Sequence, residues 1–133
     1  MKRLVYLGDE FKNVPFSALQ AMAKHVQAEP DMTERMVKAV MKALYWIRAN
    51  REGSIDTVMK NGRLDQREIA ASLYDLMRDA YIPSLSPVGL YKRAELEFAV
   101  LKEKPNFKPE QFIDDRFYKT ALKALANEPG AKS

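Results

Sequence analysis

With 133 residues, 47% of them hydrophobic and 30% charged, the chain has the size and composition of one globular domain, which excludes a disordered or collagen-like polymer. The lack of cysteine excludes disulfides, thiolate zinc sites, iron–sulfur clusters and cysteine nucleophiles. The net charge of +4 comes from interleaved signs: even the basic pair Lys92-Arg93 is followed by Glu95 and Glu97, which predicts a solvated surface rather than a phosphate-binding stripe.

Residues 3–7 (Arg-Leu-Val-Tyr-Leu) form a short β-prone run closed by Gly8-Asp9 and predict a strand. The same run is too short for the apolar core of a secretory signal, so no signal peptide is expected within this chain, and an export signal would lie outside it. Phe16 to Met22 reads either as a second strand or as the start of a helix reaching Gln27. Glu29-Pro30-Asp31 opens the clearest helix, with proline in the first turn, where its missing N–H costs nothing. Met32, Met36, Val37, Val40, Met41, Leu44 and Ile47 recur at three- and four-residue steps and predict one inward stripe as far as Ala49.

Asn50 is placed to cap a helix over 51–60 with Ile55, Val58 and Met59 inward, and Asn61-Gly62 supplies residues suited to a left-handed helix end. Asp65 and Glu68 have capping-box spacing ahead of a helix whose apolar positions are Ile69, Leu73, Leu76, Met77 and Ala80. Ile82-Pro83 stops it, and residues 83–89 are loop by composition. A helix over 91–102 places Leu96, Val100 and either Phe98 or Ala99 inward, and one over 115–126 does the same for Phe117, Ala121, Leu122 and Leu125. The whole reads as a single domain over 1–127, with a strand-and-crossover segment at 1–22, a helical region at 29–126 and a disordered tail at 128–133. The fold class is mainly α: five to six helices with one or two short N-terminal β-strands.

Chemistry-bearing residues are few. His25 stands alone, which excludes multi-imidazole metal sites, and no G-x-S-x-G elbow presents a serine to it. Asp114-Asp115 precedes a helix, where carboxylates suit the cap and the dipole. No glycine pattern matches a phosphate loop. Tyr45-Trp46 reads as core packing, with Trp46 beside the stripe and Tyr45 at its edge. Residues 51–80 outline a helix-turn-helix, but the second helix sets Arg67 and Arg78 against Glu68, Asp75 and Asp79, a poor match to phosphates. No enzyme, metal or cofactor is expected.

Several segments in order resemble the solute-binding proteins of ABC importers for nitrate, sulfonates, taurine and pyrimidine thiamin precursors. They are Pro15-Phe16-Ser17, the helix from Pro30 to Leu44, Trp46-Ile47-Arg48-Ala49-Asn50-Arg51-Glu52, Leu64-Asp65, the loop from Pro83 to Gly89, and the segment from Ile113 to Phe117. The resemblance implies the C-terminal portion of a type II periplasmic binding protein, α/β in the full-length family. It implies a periplasmic location, a small anionic or heteroaromatic solute and an ABC permease as partners, and Phe16 and Ser17 at the ligand cleft. The alternative is a helical protein–protein interaction module on the same scaffold, and a small DNA-binding regulator is the third reading. Neither nucleic acid nor membrane insertion is expected, and helices left without partner sheets point to a homodimer.

Overall fold

The structure is a computed structural model that describes residues 14–15, 17–80, 86–104 and 106–131. Among these residues there are six α-helices: α1 (Ala23–Ala28), α2 (Pro30–Ala49), α3 (Arg51–Gly62), α4 (Arg67–Met77), α5 (Pro87–Val100) and α6 (Arg116–Ala124). Two 3-10 turns, Arg78–Ala80 and Pro109–Phe112, complete the regular structure. The chain divides into two compact units, one of residues 21–83 and 115–133 and the other of residues 1–20 and 84–114.

The expected N-terminal strands require a correction. The described residues contain no strand, so what they show is an all-helical chain rather than a mainly α fold with one or two strands. The candidate strand at 3–7 lies outside the described residues, as does Phe16. Residues 17–22 run as irregular chain into α1, with Met22 extended at φ −71°, ψ 138°. An extended backbone becomes a strand only when a ladder pairs its N–H and C=O groups, and no ladder engages this segment.

In the larger unit, local signals set the helix ends. Pro30 occupies the first turn of α2, and the Thr33 hydroxyl donates back to the Glu29 carbonyl at 3.0 Å. The Asn50 side chain accepts from the Gly53 amide at 3.0 Å and caps α3, as its position predicts. Helix α3 continues through Gly62, and the left-handed residue is Arg63 (φ 51°), with the Leu64 amide donating back to the Met59 carbonyl. The Asp65–Glu68 capping box does not form: α4 starts at Arg67 with no side-chain cap, and the Ile69 and Ala70 amides donate to the Gln66 carbonyl.

Two apolar clusters hold this unit together. In the first, Met41 and Tyr45 of α2 meet Ala121 of α6 and Leu125 just beyond it, with Val37, Tyr118 and Ala131 around them. In the second, Ile55 of α3 meets Ala70 and Tyr74 of α4, with Ile47, Val58, Met59 and Leu64 around them. The segment after α6 also docks on α2. Glu128 pairs with Lys42 at 3.2 Å, and Gly130 adopts φ 84°, where an added Cβ would run into the Tyr45 carbonyl oxygen.

The smaller unit is built on α5. Ser86 caps it by accepting from the Gly89 amide, with Pro87 in the first turn, so the helix begins earlier than composition predicts. Arg93 donates to the Pro15 carbonyl at 2.9 Å and to Glu97 at 2.8 Å. Tyr91, Phe107 and Phe112 form an aromatic chain, the last pair edge-to-face with centroids 5.1 Å apart. Gly89 and Ala94 are the buried positions of α5. Leu96 and Val100, expected inward, face solvent, and Phe98 is half-buried.

Candidate interaction surface

Helix α4 shows large apolar side chains to solvent on one face, while two of its three inward positions are alanines. Its inward positions carry Ala70, half-buried Ala71 and Tyr74, while Ile69, Leu73, Leu76 and Met77 are each between 37% and 47% exposed. The four are spaced i, i+4, i+7 and i+8, so they share one face. They are the residues whose periodicity predicts a core stripe: the stripe exists, but the unit does not cover it.

Helix α2 carries two apolar faces. Val37, Met41 and Tyr45 are turned to α6, and Met32, Met36 and Val40 form a second row that is exposed. The adjacent aromatics exchange their expected places. Tyr45 is 2% exposed and Trp46 is 45% exposed. Tyr45 stands four residues after Met41 and eight after Val37, on the buried face, and one further residue rotates Trp46 by about 100° toward the outer row. Burial raises the Tyr45 phenol above its ordinary range, with Tyr118 adding to the shift.

The two exposed rows sit on neighbouring helices. The 3-10 turn Arg78–Ala80, which continues α4, packs on α2, and the Tyr74 hydroxyl donates to the Ile47 carbonyl at 2.8 Å. Behind α4, α3 is tied to it by alternating charges. Arg51 makes a bidentate pair with Asp75 (3.0 and 2.8 Å) and reaches Glu52, while Arg67 joins Glu52 to Asp56. This ladder lowers the Glu52 carboxyl, chiefly through Arg67 and then Arg51, and lowers Asp75 through Arg51.

The remaining candidates do not converge on a site. Ser17 is exposed on irregular chain of the smaller unit, and Phe16 lies outside the described residues. His25 is exposed on α1. Asp115 precedes α6 and pairs with Lys119 at 2.6 Å instead of capping through its side chain. Among the described residues no group of three or more His, Cys, Asp or Glu could hold a metal, and no helix is long and apolar enough to cross a membrane. Within the helix-turn-helix outline, Arg51 and Arg67 are engaged by carboxylates and the solvent face of α4 is apolar.

Sequence reasoning missed this surface because periodicity marks an apolar face without saying what covers it. No protein-family model matches the chain, and neither does any curated protein or solved structure. Together with helices and no strand among the described residues, this corrects the resemblance to periplasmic binding proteins, and with it the solute-binding, ABC-transporter and periplasmic reading.

Proposed function

We propose that the chain is a helical protein–protein interaction module whose docking face is formed by the exposed rows of α2 and α4. The observation that carries this is α4 itself: four large aliphatic side chains share its solvent face, while alanines and a tyrosine fill its inner one. Single exposed apolar residues are ordinary on a protein surface, but grouped ones mark contact sites. Anchors at i, i+4, i+7 and i+8 suit the apolar face of a partner helix. In this reading the chain acts by binding and not by catalysis.

Photo-crosslinking in cells tests the reading. A benzophenone side chain at position 36 or 73 is expected to give a discrete protein adduct, and the same group at position 60, on the polar surface of α3, is not. The adduct from position 36 should disappear with Leu76→Glu. Equal adduct yields from all three positions would overturn the proposal.

A further inference from the structure

We infer that α6 and the segment after it form an exchangeable arm, and that the groove they fill on α2 takes the same arm from a second copy of the chain. The inference concerns the covered face of α2 and does not rest on the docking face proposed above. The place of α6 in the chain carries it. The larger unit is made of two separate stretches, 21–83 and 115–133, and the second returns to it only after the chain has built most of the smaller unit over 84–114. Among the described residues α6 packs on α2 and on no other helix. One interface therefore decides whether the arm is docked. The same interface forms unchanged when the arm comes from another chain, which is what makes exchange of an element between protomers inexpensive.

Both sides of the interface favour exchange. On the arm, the side chains sealed against α2 are Ala121 and Leu125, with Tyr118 and Ala131 half-buried around them. Two buried side chains hold a helix of 9 residues, too short to persist alone, so the arm leaves by local opening well short of global unfolding. On α2, an empty groove puts Met41 and Tyr45 in water, which favours refilling it. The groove is also shaped for this arm. Lys42 meets Glu128, and at Gly130 the backbone passes so close to the Tyr45 carbonyl that no side chain fits, at a positive φ that suits glycine. An occupant therefore needs a helix with Ala and Leu one turn apart, then a carboxylate, then a glycine. A second copy supplies all of these in register. The tether within the chain favours docking in the same molecule, and a rising concentration of chains favours docking between molecules.

The lack of cysteine allows a direct test on the full chain. Chains carrying Lys42→Cys are mixed with chains carrying Glu128→Cys over a concentration series, joined by a short bismaleimide and separated under denaturing conditions, each variant keeping its helical circular dichroism. A chain carrying both substitutions shows, as an intramolecular adduct in dilute solution, that the reagent spans the pair. The expected result for the mixture is a covalent heterodimer whose yield rises with concentration and exceeds by about fivefold or more that from Lys60→Cys mixed with Glu128→Cys. Adding Gly130→Ala to the Glu128→Cys chain should lower the yield toward that control, because alanine cannot lie beside the Tyr45 carbonyl. A yield from positions 42 and 128 no higher than the control at every concentration overturns exchange. A dimer seen by light scattering without that excess overturns it too, because such a dimer uses another surface. A heterodimer yield untouched by Gly130→Ala overturns docking through the groove.

Discussion

The two clusters of the larger unit are each centred on a buried tyrosine and are assembled in opposite ways. The Tyr74 cluster is local: α3 and α4 are successive helices, joined by a short turn at Arg63 and laced by the Arg51–Asp75 and Arg67–Glu52 pairs. The Tyr45 cluster is distant in sequence, since α2 must wait for α6 and the segment through Ala131 to cover it. Local contacts cost little loop-closure entropy, whereas a long closure must be offset by the contact it makes. Helices α3 and α4 therefore make a hairpin that can form early, and α2 is held from one side by that hairpin and from the other by a late-arriving helix. Within the local cluster, the hydrogen bond from the Tyr74 hydroxyl to the Ile47 carbonyl ties α4 to the C-terminal end of α2.

The sharpest way to break the local cluster is Ile55→Ala. Ile55 is almost fully buried, and removing its side chain leaves a cavity that α3 and α4 can only partly close, at a cost of about 3 kcal/mol. Urea unfolding followed by circular dichroism should show the unfolding free energy fall by that amount, as a lower midpoint at unchanged slope. On the distant cluster the matching change is Gly130→Ala, because an added Cβ would meet the Tyr45 carbonyl and the backbone has positive φ. That segment can leave its site without unfolding α2, so the cost is capped at what its docking contributes, about 1 kcal/mol. Tryptic cleavage at exposed Lys123 should then accelerate about fivefold, with little change in the global midpoint. Tyr74→Phe removes the hydrogen bond that ties α4 to the end of α2. The Ser54 hydroxyl donates chiefly to the Asn50 carbonyl at 2.7 Å and reaches the Ile47 carbonyl only at 3.3 Å, so the loss should be about 1 kcal/mol, the net worth of one hydrogen bond.

What was legible in the sequence divides along the same line. Pro30, Asn50 and the spacing of Ile55, Val58 and Met59 declare α2 and α3 because caps and periods act within a few residues. The burial of Tyr45 rather than Trp46 was not legible, since it depends on where α6 docks. The exposure of Ile69, Leu73, Leu76 and Met77 was hidden for a stronger reason. A period of 3.6 residues identifies an apolar face, and an interface face has the same period as a core face. The capping box at Asp65 and Glu68 misled because α4 starts two residues after Asp65, with Arg67 drawn into the charge ladder on α3.

The smallest expected effect tests that ladder, and its sign is fixed by the shifts. Glu52 and Asp75 have folded carboxyl pKa values below their unfolded ones, held there by Arg67 and Arg51. Groups of this kind contribute stability that is fully present above the unfolded carboxylate range and is lost as pH falls through the folded value. All five members of the ladder are exposed, so salt screens them and the contribution is modest. Arg51→Ala removes the main partner of Asp75, leaving the weaker pull of Arg78, and frees Glu52 in part. Its unfolding midpoint should lie below that of the unaltered chain at neutral pH, the gap should close as pH falls through and below the ordinary carboxylate range, and high salt should narrow it at neutral pH. If the gap persists unchanged in acid, Arg51 acts through its stem and its guanidinium packed 5.8 Å from the centre of the Tyr74 ring, and the α3–α4 hairpin is held by packing instead of charge.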